Sequence, residues 1–288
     1  MKNTLLLVLI SCAFLAMKSD KPAYRIYTEK GKQAAYNDIL DAARDADIVF
    51  FGELHDNPIC HWLEAEVEAD LYKMKGKQLV LGAEMFEADN QLIINEYLSG
   101  LVKDKNFEAE ARLWPNYKTD YKPLLVMARD SGLRFIATNV PRRYAAMINK
   151  SGFGILRTLD PEALKYIAPI PVPYDPELAC YRDITKSMGN THITDSIGQA
   201  QAIKDATMAH FILANWLPGQ TFLHFNGSYH SDHFQSILWY LKRAKPSLKI
   251  VTISSVQQKD LEKLEDDSKG LADYTLVIPE NMTPTHAQ

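Results

Sequence analysis

The chain has 288 residues, of which 47% are apolar and 24% charged, with a formal net charge of −4. These proportions are typical of a globular protein with a sizeable core, and the weak negative charge without a basic stripe excludes a nucleic-acid-binding protein. The three cysteines, Cys12, Cys60 and Cys180, include no C-x-x-C pair, which excludes a disulfide framework and a cysteine-based zinc or redox site.

Residues 1–18 predict export. Lys2 precedes an apolar run over residues 5–10 that is too short to span a bilayer. The four residues Leu9–Cys12 have the form of a bacterial lipobox, which predicts lipidation at Cys12. The alternative is an ordinary signal peptide cut near residues 16–18, which the apolar residues 13–17 favour. Residues 19–288 are predicted to form a single domain.

The remaining chain alternates between apolar strands and amphipathic helices. Strands are predicted over residues 24–29 (an edge strand), 47–51, 78–85, 133–140, 221–226, 248–256 and 274–278. Helices are predicted over residues 36–46, 58–75, 89–98, 107–116, 121–131, from 141 onward, 197–214 and 232–242. This alternation predicts an α/β fold with a largely parallel central sheet flanked by helices.

Two segments depart from the alternation. Five prolines crowd residues 161–176, and no buried-strand pattern occurs between residues 150 and 200. We therefore expect a mostly helical insertion over about residues 145–215, with an irregular loop suited to a lid or an interface. Residues 283–288 are expected to form a frayed tail.

Polar side chains stand where predicted strands end. Glu53 with His55, then Glu84, Asn139 and His230, each follow an apolar strand. Because the carboxyl ends of parallel strands lie at one edge of a sheet, these side chains are expected to share a cleft. Two helix starts add His61 and Arg142, so the predicted site consists of Glu53, His55, His61, Glu84, Asn139, Arg142 and His230.

The predicted cluster of polar residues can be interpreted as a functional site or as a set of structural contacts. A carboxylate such as Glu84, at the end of an apolar run, is costly without a partner, and Arg142 is the predicted partner. Carboxylates and imidazoles in one cleft can hold a divalent metal, move protons or bind a polar ligand. Alternatively, His55 and His61 cap the helix or bind the loop, and Glu84 with Arg142 is a structural ion pair.

The other histidines, Cys60 and the tyrosines have simpler interpretations. His224 is predicted to be a core histidine, and His192, His210, His233 and His286 to lie at the surface. Cys60 is predicted to be a packed thiol rather than a ligand. A phenol can bind ferric iron, although tyrosine is more often a packing residue; those near predicted cleft segments are Tyr117, Tyr121, Tyr144, Tyr174, Tyr181 and Tyr229.

Six short segments spread over residues 47–233 carry a family resemblance. They are Gly52–Pro58 with His61, Leu81–Phe86, Trp114–Tyr117 with Asp120, Tyr121, Pro123 and Leu124, Asn139–Arg142, Asp205–Ala209 and Gly227–His230. In these segments and in their order the sequence resembles the ChaN-type haem-binding uptake proteins, a branch of the Tiki/TraB/erythromycin-esterase-like superfamily.

This resemblance implies a haem-binding protein of haem or iron uptake, exported and held at the outer membrane through a lipid anchor. It also implies a homodimer that encloses two stacked haems, each with a tyrosine on its iron and with propionates held by the partner chain. Within the insertion, Tyr174 and Tyr181 are candidate iron ligands, and the resemblance does not decide between them. Three cations of the same segment, Lys165, Arg182 and Lys186, could hold propionates.

Two other functions use the same residues. Other superfamily branches suggest a metal-dependent hydrolase or peptidase, in which a divalent metal is held by Glu53, His55, Glu84 and His230, and Arg142 stabilises negative charge. In the third interpretation, an exported structural or interaction protein, the cleft residues only stabilise the fold.

Overall fold

The computed structural model describes residues 21–187 and 194–286. The predicted export signal with Cys12, and also His192, lie outside these residues. The strands are β1 Arg25–Thr28, β2 Gln33–Ala34, β3 Ile48–Glu53, β4 Leu79–Glu87, β5 Arg134–Asn139, β6 Thr221–Gly227, β7 Ile250–Gln258 and β8 Tyr274–Pro279. The helices are α1 Tyr36–Ala43, α2 Pro58–Lys75, α3 Gln91–Leu98, α4 Asp104–Glu110, α5 Lys122–Asp130, α6 Arg142–Ser151, α7 Ala179–Ser187, α8 Thr194–Asn215 and α9 Ile237–Ala244.

The eight strands form one sheet in the order β2-β1-β8-β7-β3-β6-β4-β5. All neighbours from β8 to β5 are parallel, and only the pairs that include β1 are antiparallel. The predicted α/β class with a largely parallel sheet is therefore confirmed. The predicted edge position of β1 is wrong, because the two-residue strand β2 pairs outside it.

The central strands β3, β4 and β6 are buried at every position, as expected for apolar strands covered on both faces. Alternate residues of β3 enter two separate cores. Val49 and Phe51 pack with α2, α3 and α5 on one face, whereas Ile48 and Phe50 pack with α6, α8 and α9 on the other. This two-sided cover leaves the carboxyl edge of the strands as the place for a site.

Helix α2 begins where the sequence predicts. Asn57 Oδ1 accepts hydrogen bonds from the backbone N–H groups of Ile59 (3.0 Å) and Cys60 (3.4 Å), so it caps the helix. Gly76, at a φ of +54°, ends it. On α2, Trp62 is 49% exposed, and the buried face includes the charged residues Glu64 and Glu68.

Other local predictions need correction. The predicted helix over residues 107–116 is confirmed only for its first four residues: α4 runs from Asp104 to Glu110, and the residues around Pro115 form a loop, since proline cannot continue a helix interior. The predicted insertion does contain α7 and α8, but α8 is part of the second core and packs on the sheet. Thr285, predicted to be in a frayed tail, donates its backbone N–H to the Asp56 carbonyl (2.8 Å).

Among the helices of residues 21–187 and 194–286, none is both long and apolar enough to cross a membrane.

Candidate functional site

A cleft of about 970 Å³ lies at the carboxyl ends of β3, β4, β5 and β6. Six of the seven predicted site residues line it, namely Glu53, His55, Glu84, Asn139, Arg142 and His230. His61 does not line the cleft; it lies behind Glu53, with its Nδ1 3.3 Å from Glu53 Oε2. The parallel sheet therefore brings together the strand-end residues, as their positions predicted.

One side of the cleft is formed by His55 and Glu53. His55 Nδ1 lies 2.6 Å from Glu53 Oε1, and the Tyr121 hydroxyl donates to the same oxygen (2.8 Å). The other edge of the imidazole faces Gly227, because a Cβ at Gly227 would lie 2.7 Å from His55 Nε2. His55 is thus an oriented imidazole whose Nδ1 is engaged and whose Nε2 faces the opposite strand.

Contacts with two histidines determine the protonation state of Glu53. Burial would raise the pKa of this carboxyl, but hydrogen bonds with His55 and His61 hold its pKa well below the usual range. Burial would likewise lower the pKa of His55, but its hydrogen bond to Glu53 raises that pKa. Glu53 is therefore ionised at neutral pH, and it favours the protonated form of His55.

The other side of the cleft is a chain of three ionisable groups. His230 Nε2 lies 3.2 Å from Glu84 Oε1, and His230 Nδ1 lies 2.5 Å from Asp205 Oδ1. Glu84 Oε2 accepts the backbone N–H of Gly227 (2.9 Å), and Asp205 Oδ2 accepts the Tyr181 hydroxyl (2.8 Å). Every member of the chain has a hydrogen-bond partner, which is what a buried polar network requires.

The two carboxylates decide the protonation of His230. Burial would lower the pKa of this imidazole, but Glu84 and then Asp205 raise it to about 10. Burial would raise the pKa of Glu84, but His230 lowers it to about 2. The pair is therefore charged over the physiological pH range.

This protonation makes a testable prediction for His230→Gln. A pKa of about 10 in the folded protein, against about 6.5 when unfolded, gives stability that is fully present below pH 6.5 and is lost as the pH rises through 10. We expect the difference in unfolding free energy between wild type and His230→Gln to shrink by at least about 1 kcal/mol from pH 6.5 to 10. Urea unfolding at several pH values measures it, with the exposed His286→Gln as control. A difference that does not change with pH would contradict the charged state of His230.

The predicted partnership of Arg142 with Glu84 is wrong. Arg142 Nε donates to Glu87 Oε1 (2.7 Å), whereas Glu84 pairs with His230. The reason is the register of the sheet: an irregularity in β4 after Ala83 places Glu87 opposite Asn139. Because Arg142 follows Asn139 closely, it meets Glu87, which also binds Arg112 (2.9 Å).

Neither tyrosine predicted as an iron ligand lines the cleft. Tyr181 is fully buried and donates to Asp205, so its hydroxyl belongs to the hydrogen-bonded network of Glu84, His230 and Asp205. Tyr174 packs its ring against Phe153 (5.8 Å between centroids) and Tyr181 (5.5 Å). The tyrosine in the cleft wall is Tyr229, which is 37% exposed and donates to the Cys180 carbonyl.

The predicted metal set of Glu53, His55, Glu84 and His230 also differs from what the structure shows. Both ring nitrogens of His230 are engaged by carboxylates, which leaves no nitrogen for a metal in this arrangement. Within the described part of the chain, the donor atoms close enough to share an ion belong to Glu53, His61 and Glu64.

Several functional positions lacked a role in the sequence analysis. Asp205 is the clearest, since it is fully buried in α8 beside Ile203 and Ala206; a carboxylate among apolar helical residues was the available signal. Glu64 gave the same signal within the apolar face of α2. Tyr121 was named among the tyrosines near the cleft and in the segments that resemble the family, but without a role, and Glu87 had no distinguishing local pattern.

The remaining side-chain predictions are mostly confirmed. His224 is fully buried, with Nε2 2.8 Å from Thr138 Oγ1 and Nδ1 3.0 Å from Asn226 Oδ1, and burial lowers its pKa to about 4. Cys60 is a buried thiol. His233 and His286 are exposed, whereas His210 is half-buried.

The comparisons with known proteins agree with this architecture. A family model described as haem-binding uptake, Tiki superfamily, ChaN, matches residues 39–241. The solved structure described as cofacial heme binding to ChaN of Campylobacter jejuni covers 88% of this chain and 96% of its own, with 18% identity and a TM-score of 0.66. A Bacillus cereus protein structure covers 88% and 94%, with 13% identity and a TM-score of 0.51. At these identities the two structures show the fold alone.

A curated relative, protein RETICULATA-RELATED 5, chloroplastic, from Arabidopsis thaliana, is 28% identical over 129 residues, or 43% of this chain. The chain spans only 17% of that protein's length. The family model, in contrast, matches well over half of the 288 residues. The chain therefore belongs to the ChaN family of haem-binding uptake proteins in the Tiki superfamily.

Proposed function

We propose that this chain is an exported haem-binding protein of haem or iron uptake, and that haem binds in the cleft at the carboxyl edge of the sheet. The observation that carries the proposal is the cleft itself. Its volume of about 970 Å³ is at the upper end of the range for small-molecule and cofactor sites. Membership of the ChaN family and the cofacial heme binding of the Campylobacter jejuni protein support it.

The lining suits a flat apolar ligand with two carboxylates. Apolar side chains such as Trp114, Val140 and Ile197 line the cleft and would contact the macrocycle. Arg142, whose side chain is 66% exposed, and Lys204 lie in the same wall and would bind the propionates. When bound, the haem would supply an iron ion that a side chain of the cleft could ligate.

Two side chains of the cleft could provide that ligand. Tyr229 presents a phenol in the cleft wall. Burial raises the pKa of this phenol, so it is protonated at neutral pH and would have to lose that proton to ligate iron. His55 presents Nε2, with Nδ1 held by Glu53. We propose that Tyr229 is the iron ligand, because the family resemblance implies a tyrosine. The experiment below distinguishes it from His55.

We further propose a homodimer and a lipid anchor. Cofacial heme binding in the Campylobacter jejuni relative would be reproduced here if two copies brought their clefts together. The lipobox-like residues Leu9–Cys12 support anchoring to the outer membrane through Cys12.

Haemin titration tests the proposal. The purified protein is expected to retain one haemin per chain with a shifted Soret band, and Tyr229→Phe to bind at least about tenfold more weakly. Tyr174→Phe is the matched control, since Tyr174 lies outside the cleft wall. If the affinity falls in His55→Ala but not in Tyr229→Phe, the ligand is His55. A flat wild-type titration would overturn haem binding.

Size-exclusion chromatography with and without haemin tests the proposed homodimer.

A hydrolase is the second candidate, and the orientation of His55 favours it. An imidazole whose Nδ1 is held by a carboxylate, as here by Glu53 at 2.6 Å, is the arrangement of a general base. Hydrolysis of ester and peptide substrates that is lost in His55→Gln would support this function, and the absence of any turnover by the wild-type protein would remove it.

A further inference from the structure

A second group of ionisable side chains extends from Glu53, which lines the cleft, to His61 and Glu64 behind the cleft wall. Glu53 binds His55 and Tyr121 through Oε1, while its Oε2 faces His61 and Glu64 in the first two turns of α2. His61 Nδ1 lies 2.9 Å from Glu64 Oε2 and 3.3 Å from Glu53 Oε2. One donor atom from each residue falls within 4.8 Å of the others.

One oxygen atom of this group lacks a hydrogen-bond partner among the described residues. This is Glu64 Oε1, which is buried, whereas the buried Glu53 Oε2 has the longer contact with His61 Nδ1 at 3.3 Å. A native interior rarely leaves carboxylate oxygens in this state, because their desolvation is then uncompensated. Such an oxygen is satisfied either by a carboxyl proton or by a bound cation. Glu64 differs from Glu68, which is also buried and unpaired among the described residues, because Glu53 and His61 place donor atoms beside it.

The donor atoms of the group are those that a cation would use. Glu53, Glu64 and Asp120 surround a single imidazole, that of His61. Over residues 21–187 and 194–286, the ion pairs made by these three carboxylates come from histidine, with no lysine or arginine among them. Carboxylate oxygens around one imidazole nitrogen are the donor types that a divalent first-row cation takes in proteins.

The outer contacts of His61 would orient it as a ligand. Its Nε2 lies 3.2 Å from the His55 carbonyl oxygen and 3.4 Å from Asp120 Oδ2, so Nε2 is the natural position for the ring proton. Asp120 Oδ2 in turn accepts from Asn116 Nδ2 and the Thr285 hydroxyl, each at 2.7 Å. Nδ1 is the nitrogen that meets Glu53 and Glu64, and a bound cation would replace the proton that Nδ1 shares with them, as in metal sites whose histidines are held by a carboxylate.

We propose that Glu53, His61 and Glu64 bind one divalent first-row transition-metal cation, separately from haem. One imidazole and two carboxylates suit Mn²⁺, Fe²⁺ or Zn²⁺ and leave further positions for other ligands. Because Glu53 also holds His55, the cation would fix the side chain that orients the imidazole in the cleft.

Metal binding is tested on the full chain, without haemin. The protein is stripped with a chelator and titrated with Mn²⁺ and with Zn²⁺ by calorimetry, and its melting temperature is measured with and without each metal. We expect one metal per chain and a melting temperature that rises with metal concentration. Glu64→Gln should lower the metal affinity by about 100-fold or more, because it removes a direct ligand.

Glu68→Gln is the matched control. Glu68 lies one turn further along α2, is also fully buried and has two unpaired oxygens, but it is outside the ligand set. Wild-type metal affinity in Glu68→Gln supports the assignment. An equal loss in both variants, or wild-type affinity in Glu64→Gln, would overturn it.

X-ray absorption and metal uptake by the wild-type protein test the proposal independently of the variants. If Glu64→Gln fails to fold, X-ray absorption of the Zn²⁺-loaded wild type should show imidazole and oxygen scattering and no sulfur. A wild-type protein that takes up neither metal would identify the group as carboxylates sharing a proton, and the proposal would fail. Haemin titration of the same samples reports separately on the cleft.

Discussion

Replacing Asp205 by alanine is expected to destabilise the protein by about 3–5 kcal/mol, the range for removing one partner of a buried ion pair. Asp205 is fully buried and accepts from both His230 and Tyr181, so the change leaves two buried donors unpaired. Because alanine is a good helix former, the substitution does not lower the intrinsic helix propensity of α8, and the loss comes from the ion pair and hydrogen bonds alone. Urea unfolding at pH 7 measures the loss as a lower midpoint.

Tyr181→Phe is the control for this experiment, since it removes one hydrogen bond to Asp205 and leaves the charges in place. We expect it to cost about 1 kcal/mol. If Asp205→Ala costs no more than Tyr181→Phe, the chain from Glu84 to Tyr181 does not contribute as a charged network.

Gly52→Ala is expected to have the second-largest effect, a loss of about 3 kcal/mol of stability. A Cβ at Gly52 would lie 2.9 Å from the Ile253 carbonyl oxygen and 2.9 Å from Ser228 Cα. Both are backbone atoms, so β7 or the turn after β6 must move. Since Glu53 follows directly and Ser228 lines the cleft, we also expect weaker haemin binding. Urea unfolding and haemin titration measure the two effects.

Gly154→Ala provides the matched glycine. An added Cβ there meets no heavy atom within 4 Å, and its φ is not in the left-handed region. A change within about 0.5 kcal/mol is expected for it. Similar losses at both glycines would mean that the close approach at Gly52 is relieved without cost.

Much of the fold and part of the site were determined by local sequence. The apolar runs of β3, β4 and β6 specify strands buried on both faces, and Asn57 with Pro58 specifies the start of α2, because neighbouring residues decide these features. Alternation of strands and helices then fixes the strand direction. That direction places Glu53, Glu84, Asn139 and His230 at one edge of the sheet.

Only the tertiary structure decided which of these side chains are partners. Arg142 binds Glu87 rather than Glu84 because of an irregular register between β4 and β5, and Asp205 reaches His230 because α8 packs across the sheet. Such pairings join segments far apart in the chain. Their geometry depends on packing to within about 0.5 Å, and no local pattern of residues contains that information.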